Sequence, residues 1–229
     1  FEEAVADAAA QAGLRAVCSQ SILKFPSPDA PTYEDALSQT RDFILRWNGN
    51  PLVIPAVAPH APYTVTPHLL QEAVSLAQEF DVPLHIHIAE TKQEVEDHRK
   101  EYGMPPVPWL KKQGIFEART SAAHCVHLDD GEITTLTHYD VGVVHNPSSN
   151  LKLASGIAPI SKMLEKGLNV GIGTDGPASN NDLDMFEEMR LTSFLGKVAT
   201  MDPTAIPARK TLEMATIMGA RALHIDELT

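Results

Sequence analysis

"NVGIGTDGPASNND", residues 169 to 182, is the stretch at which two α/β architectures diverge. Gly171, Gly173 and Gly176 spell G-x-G-x-x-G after an apolar run, which is the pattern of a dinucleotide-binding loop. Asp175, however, lies where the predicted strand ends, and a parallel α/β barrel carries its functional residues at that end of its strands. The stretch therefore indicates either a phosphate-binding loop or a carboxylate at the mouth of a barrel.

The residues that follow the glycines argue against the phosphate-binding loop. Such a loop opens its helix at once, early in a βαβ unit, with an acidic residue at the end of the next strand. Here Pro177 and the polar run 179–181 precede the next predicted helix, and no further clear strand follows. We therefore expect Asp175 to face a metal, while Gly173 and Gly176 let the backbone turn tightly beside it.

Short, continuous, β-branched runs alternate with helical patterns along the whole chain. This alternation predicts a parallel sheet with helices on its outside. We count six strand–helix units, whereas a complete barrel has eight, so a doubly wound open sheet is the alternative architecture. The predicted strands cover residues 14–18, 51–60, 82–90, 121–128, 141–145 and 168–175.

Several predicted helices carry recognisable start signals. Thr32 can cap a helix that has Asp35 at its third position, and Thr66 precedes Pro67, a residue favoured at the first helical position. Residues 145–150 are expected to form a loop. The predicted helices cover residues 1–13, 32–49, 66–80, 92–102, 129–139, 158–167, 182–198 and 209–223, with a short one after the proline-rich turn at 104–110.

Composition excludes several classes of partner. The formal net charge of −12 disfavours nucleic acid and anionic membranes, because both require clustered Lys and Arg. The apolar runs are far shorter than the roughly 20 residues of a membrane helix, and the first residues show no secretory signal pattern. The two cysteines, Cys18 and Cys125, match no metal-binding spacing. We expect a cytoplasmic protein.

Polar residues stand at the ends of successive predicted strands. Side chains at the carboxyl ends of parallel strands converge over the mouth of a barrel. Several histidines together with two carboxylates form the kind of cluster that metal-dependent hydrolases use. The residues concerned are His60, His87, Glu90, His124, His145 and Asp175.

Five motifs, occurring in this order over nearly the whole chain, resemble the amidohydrolase superfamily. More narrowly, they resemble its 5-methylthioadenosine/S-adenosylhomocysteine deaminase branch, which is similar to the triazine chlorohydrolases and guanine deaminases. The resemblance implies a TIM-like (β/α)8 metal-dependent hydrolase barrel. The motifs are PHAPYTVTP at 59–67, LHIHIAET at 84–91, AAHCVHL at 122–128, HNPSSNLKLASGIAPI at 145–160 and GTDGPASNNDLDMFEEMR at 173–190.

The resemblance also implies roles for the residues at the strand ends. His87 and Asp175 would be metal ligands, and Asp175 would also be the base that takes a proton from water. Glu90 would be the proton shuttle that touches the purine ring, and His124 would orient and polarise the attacking water. His60 would contact the substrate, and two residues in the loop after the seventh strand would shape the pocket. These two are His145 and Asn146.

The implied activity is hydrolytic deamination of an adenosine-type substrate with release of ammonia. The substrate would be 5-methylthioadenosine, S-adenosylhomocysteine or adenosine, and the cofactor one divalent metal, with zinc favoured over iron or manganese. Related readings are deamination or dechlorination of a triazine, guanine or pterin ring. A catalytically incomplete fragment that retains only structure is the remaining alternative. No nucleic acid or membrane partner is expected, and a homo-oligomer is left open.

The chain departs from the family pattern in one respect. The family takes its first two metal ligands from an H-x-H on the first strand, whereas the H-x-H here, at 85–87, belongs to the fifth. We therefore expect residues 1–229 to form a single partial barrel domain that supplies about strands 3 to 8. The first two strands and a small β-sandwich domain would be absent. With two ligands in place of the usual three, this chain alone is expected to be catalytically impaired and to lack its metal.

Overall fold

The computed structural model describes residues 1–228, which form an α/β arrangement of two compact units. The first unit comprises Phe1–Ile86 with Leu110–Thr120, and the second comprises His87–Trp109 with Ser121–Thr229. Three elements cross a boundary between these ranges: strand β5 (Leu84–Ile88), helix α5 (Pro106–Lys112) and strand β6 (Thr120–His124). That residues 1–229 form one partial barrel domain stays a prediction.

Three helices of the first unit lie within two residues of their predicted bounds. They are α1 (Glu2–Ala12), α2 (Tyr33–Trp47) and α3 (Pro67–Phe80). The hydroxyl of Thr32 accepts the amide of Asp35, and the hydroxyl of Thr66 accepts the amide of Leu69. These bonds satisfy amide groups that have no partner inside the helix.

The predicted strand at 51–60 is divided in the structure. Strand β1 (Ala16–Cys18) pairs in parallel with β3 (Val53–Pro55), and β2 (Ser21–Ile22) pairs in parallel with β4 (Ala58–Pro59). Between them, the amide of Ala56 donates to Cys18 and that of Val57 to Pro83. The extended segment therefore continues to His60 and keeps one register against residues 16–22, with Ala16 opposite Val53 before the interruption and Ser21 opposite Ala58 after it.

The second unit is built on parallel strands. The order is β5, β6, β7 (Gly142–His145) and β8 (Val170–Ile172), with Val143 opposite Val170. The remaining elements are α4 (Lys92–Tyr102), α6 (Asp130–His138), α7 (Pro147–Lys152), α8 (Ile160–Glu165), α9 (Pro177–Asn180), α10 (Met185–Thr200), α11 (Ala208–Met214) and α12 (Ile217–Ala222), with short 3-10 turns at Ile115–Glu117 in the first unit and Asp226–Leu228 in the second.

Helix α12 lies directly on this sheet. A Cβ atom at Gly142 would stand 2.0 Å from the carbonyl oxygen of Ala222, and one at Gly171 would stand 2.9 Å from the Cα of Gly219. Only glycine permits this approach of two backbones. The predicted helix at 209–223 is two helices in the structure, α11 and α12, with a break at Thr216, whose φ of −127° and ψ of −104° are not helical.

Two short helices, α7 and α9, were not expected from the sequence, which predicted a loop at 145–150. Both begin with a proline, Pro147 and Pro177, at their first position. No helix among residues 1–228 combines the length and the apolar character needed to cross a membrane.

Candidate active site

Three of the predicted site residues meet at the ends of β5 and β6. The imidazole rings of His87 and His124 stack with centroids 5.5 Å apart and an angle of 29° between their planes. Nε2 of His124 lies 3.8 Å from Oε2 of Glu90. His124 is buried, at 2% exposure, whereas His87 and Glu90 are partly exposed. The structure thus places one carboxylate and two imidazoles together.

The backbone at these strand ends is unusual. Ala89 (φ 51°), His124 (φ 69°) and Cys125 (φ 51°) lie in the left-handed region, which residues other than glycine seldom adopt. The carboxylate of Glu94 on α4 accepts the amides of Ala89 and Glu90 at 3.0 and 2.8 Å. Strained residues of this kind cluster at functional sites, where the surrounding structure holds them in place.

Asp175 follows β8 and is held by three hydrogen bonds. The hydroxyls of Ser149 and Ser179 donate to its Oδ2 at 2.6 and 2.8 Å, and the amide of Gly176 donates to its Oδ1 at 2.7 Å. Partial burial raises the pKa of Asp175, but these hydrogen bonds, together with nearby His124, outweigh that effect and hold the pKa below its usual value. The ionised carboxylate is therefore the favoured form.

The glycines of the opening stretch do not act as expected. Neither Gly173 nor Gly176 has a positive φ, and the left-handed residue is Asp175 itself, with a φ of 61°. The expectation of a glycine-dependent turn was wrong, because the bond from Gly176 to the side chain of Asp175 supports that conformation. Gly173 is required for another reason: a Cβ there would stand 2.5 Å from Oδ1 of Asn146.

His145 and Asn146 end β7 and are buried, with 2% and 4% exposure. Burial, and secondarily the nearby His124, lowers the pKa of His145 to about 3, so its imidazole is neutral. Among residues 1–228, Nδ1 of His145 finds no hydrogen-bond partner. These two side chains line the interior below the strand ends, and their predicted part in shaping a pocket stays a prediction.

His60 belongs to the first unit. Its Nδ1 lies 3.0 Å from the hydroxyl of Thr64, and its ring meets that of Tyr63 edge to face at 6.4 Å. These contacts define the orientation of the imidazole within the loop after β4. The predicted contact between His60 and a substrate stays a prediction.

Three residues that sequence reasoning missed complete the site. Oδ1 of Asn150 lies 2.9 Å from Nδ1 of His124, and Ser149 precedes Asn150 on α7. Glu188 on α10 has no exposed surface and accepts the amide of Ser148 at 3.0 Å. The sequence signal for α7 was the Asn–Pro pair at 146–147, since proline is favoured at the first position of a helix.

The donors fit a divalent metal in type but not in number. Imidazole and carboxylate groups, such as those of His87 and Asp175, bind zinc in proteins. The three hydrogen bonds to Asp175 leave about one of its roughly four lone-pair sites open. Across residues 1–228, however, there is no group of three His, Cys, Asp or Glu side chains placed to share a metal ion. Any metal ligation by this pair needs a further ligand.

A parallel α/β sheet whose strands end in histidines and carboxylates is typical of metal-dependent hydrolases. Residues 1–229 match the Amidohydrolase family over their whole length, and the chain belongs to that family.

Within the family, the chain is 48% identical over 230 residues to a 5-methylthioadenosine/S-adenosylhomocysteine deaminase from Carboxydothermus hydrogenoformans, an alignment that covers 100% of this chain and 52% of the relative. The chain thus spans about half the length of the curated relatives it matches.

Two solved structures are similar to the chain. A zinc-bound adenosine deaminase from Xanthomonas campestris matches with a TM-score of 0.96 and 40% identity, over 99% of this chain and 52% of that one. An atrazine chlorohydrolase from Arthrobacter aurescens TC1, in complex with zinc, matches with a TM-score of 0.88 and 26% identity, over 97% of this chain and 52% of that one. The predicted fold class, the TIM-like α/β barrel of this family, is confirmed, and the chain supplies part of it.

Proposed function

We propose that the protein containing this chain is a metal-dependent hydrolytic deaminase of an adenosine-type substrate. The observation that carries the proposal is the cluster at the ends of β5 and β6, where Glu90 lies 3.8 Å from His124 and the ring of His124 stacks on that of His87. A carboxyl group beside a fixed imidazole can move a proton to a heteroaromatic ring held above it. The 48% identity to a deaminase of such substrates supports the choice of reaction.

The reaction adds water at C6 of the adenine ring and expels ammonia. Asp175 accepts the proton that water loses, a role that suits a carboxylate whose ionised form is favoured. Glu90 donates a proton to the adjacent ring nitrogen as the C–O bond forms. The proton held by Asp175 then passes to the departing amine, the C–N bond breaks, and ammonia leaves. The hydroxyl proton at C6 passes back to Glu90, which restores the acid and leaves the 6-oxo ring. His124 orients the attacking water throughout.

His87 and Asp175 are the residues of this chain that would hold the metal. A bound divalent metal lowers the pKa of water from 15.7 to about 7 in the best cases and so supplies hydroxide near neutral pH. We favour zinc because imidazole and carboxylate donors suit it and because similar structures hold zinc. Four residues are proposed to contact the substrate or to shape its pocket, namely His60, Glu90, His145 and Asn146.

Ammonia release from a panel of substrates tests this proposal. The purified full-length protein that contains this chain, supplied with zinc, would be incubated with 5-methylthioadenosine, S-adenosylhomocysteine, adenosine, guanine and a chlorotriazine. We expect ammonia from the adenosine-type compounds at the highest kcat/KM. Ammonia from guanine alone, or chloride from the triazine alone, would show that the related reaction is the right one. No product from any compound would contradict the proposal.

We also propose that the protein works in a reducing, cytoplasmic setting. Both cysteines, Cys18 and Cys125, are buried free thiols, and proteins that keep their thiols free are typical of such compartments.

A further inference from the structure

We propose that helix α7 is an orienting element, in which Ser149 and Asn150 fix the side chains of Asp175 and His124. Both are positioning residues, since each acts through the residue it contacts. The inference rests on the proposed function only in calling Asp175 and His124 catalytic. The orientation itself is a property of this chain and is measurable without any reaction.

The sheet order explains why one helix reaches both residues. Helix α7 follows β7, and β7 lies between β6, which ends in His124, and β8, which precedes Asp175. Consecutive residues of an α-helix point about 100° apart. Positions 149 and 150 therefore point in different directions, and their side chains contact Asp175 and His124 respectively.

Asn150 selects one tautomer of His124. Its Oδ1 lies 2.9 Å from Nδ1 of His124, and a carbonyl oxygen can only accept, so the proton of the neutral imidazole lies on Nδ1. Nε2 is then the ring atom left for the site, and it faces Glu90 at 3.8 Å. Hydrogen bonds of this kind, from a neighbouring acceptor to the far ring nitrogen, set which nitrogen does the chemistry.

Ser149 performs the matching task for Asp175. Its hydroxyl is fully buried and donates to Oδ2 at 2.6 Å, which is the shortest of the three hydrogen bonds to that carboxylate. Bonds to both oxygens prevent the carboxyl group from rotating. Ser149 and Asn150 therefore fix a carboxylate and an imidazole that come from strands on either side of β7.

Glu188 anchors the helix. The carboxylate of this fully buried residue accepts the amide of Ser148 at 3.0 Å and the side-chain amide of Asn180 at 2.7 Å. A buried carboxylate at the beginning of α7 also interacts favourably with the amides exposed there. The same Asn180 donates to the carbonyl of Thr174 at 2.7 Å, so that one network joins α7, α9 and the residue before Asp175.

An ordinary structural polar cluster would satisfy every buried group, and this one does not. Among the described residues, Nδ2 of Asn150 is buried without a hydrogen-bond partner. A buried donor that is left unpaired destabilises the folded state. The orientation of the Asn150 side chain is therefore set by the hydrogen bond between its oxygen and His124, and not by its nitrogen.

The decisive test reads the tautomer of His124 directly. Long-range ¹H–¹⁵N spectra of the protein would be recorded about two pH units above the ordinary histidine pKa of about 6.5, with His124→Gln to assign the signals. We expect the Nδ1–H tautomer in the native protein and in Asn150→Asp, which keeps the acceptor. Asn150→Leu should shift the population toward Nε2–H. An unchanged tautomer in Asn150→Leu would overturn the inference, whatever the activity.

Activity measurements complete the design. Asn150→Leu and Ser149→Ala should each lower kcat about 10- to 100-fold with KM little changed, as is typical when a partner of a catalytic group is removed. Thr192→Val is the matched control, because the hydroxyl of Thr192 is buried and, among residues 1–228, makes no hydrogen bond to Asp175, His124 or any other group. A control that loses as much activity as Asn150→Leu would overturn the inference.

The two proposals fail in different ways. If the native protein shows the Nδ1–H tautomer but releases no ammonia, only the proposed function is wrong. If it releases ammonia with His124 in the Nε2–H tautomer, only the orienting role is wrong. Should Asn150→Leu fail to fold, Asn150→Asp still decides, because an Nε2–H tautomer in that variant would also contradict the inference.

Discussion

At the scale of single residues, the site depends on polar side chains held by partners distant in the chain. His124 and Asn150 are 26 positions apart, as are Ser149 and Asp175. Motif reading located the residues at the strand ends because their chemistry and their place after an apolar run are visible locally. It could not locate Asn150 or Glu188, because their importance depends on contacts that exist only after folding.

Glu90→Gln is the variant that most directly tests the proton transfer. The amide matches the carboxyl group in shape, so it removes only the ability to carry the proton. We expect kcat for ammonia release to fall about 10²- to 10⁴-fold, the range that general acid–base catalysis contributes, while KM changes little. Initial rates over a range of substrate concentrations measure both. A variant that retains half of the native kcat would contradict the role given to Glu90.

At the scale of elements, the long, strongly patterned segments were predictable and the short ones were not. Helix α3 begins at Pro67 and ends at Phe80 as expected, because Thr66 and the apolar periodicity both mark it. Helix α7 has six residues, of which three are serine or asparagine, so it shows no apolar period and was expected to be a loop. Its helical state depends on tertiary contacts, Glu188 in particular.

Gly142→Ala tests the close packing of α12 on β7. The added Cβ would stand 2.0 Å from the oxygen and 2.4 Å from the Cα of Ala222, both backbone atoms that cannot turn aside. We expect the free energy of unfolding in urea to fall by about 3 kcal/mol or more, at the upper end of what overpacking costs. Gly176→Ala is the control. No atom lies within 4 Å of its added Cβ and φ is −78°, so a change within about 0.5 kcal/mol is expected. Equal effects of the two substitutions would contradict this account of the packing.

At the scale of the whole molecule, the fold of this chain is that of a family whose members it matches over about half their length. The proposed metal ligands of this chain are one imidazole and one carboxylate, and the described residues contain no group of three donors placed to share a metal ion. The sequence therefore predicted the kinds of donor in the site but not a complete set of metal ligands. A catalytic zinc needs three protein ligands, and the sequence already indicated that only two are present.

The stability of the molecule should depend on pH through His145. Its pKa in the folded state is about 3, far below the ordinary value of about 6.5, because burial disfavours the charged imidazole. Between these values the unfolded chain binds a proton that the folded chain does not, so stability is complete above about pH 6.5 and falls as the pH is lowered toward 3.

One such group contributes at most about 1.4 kcal/mol per pH unit. Urea unfolding at a series of pH values measures the slope, which should become shallower in His145→Gln. The exposed residue His68 provides the control: His68→Gln should change the slope less than His145→Gln does, because its side chain is 73% exposed and its carboxylate neighbour Glu72 lies 3.8 Å away at the surface. Buried Glu94 and Glu132 oppose this trend, since burial raises their pKa values and their protonation favours the folded state at low pH. Both glutamates are present in the native protein and in His145→Gln, so the difference between the two slopes reports His145 alone. Identical slopes would show that His145 is not buried in its neutral form.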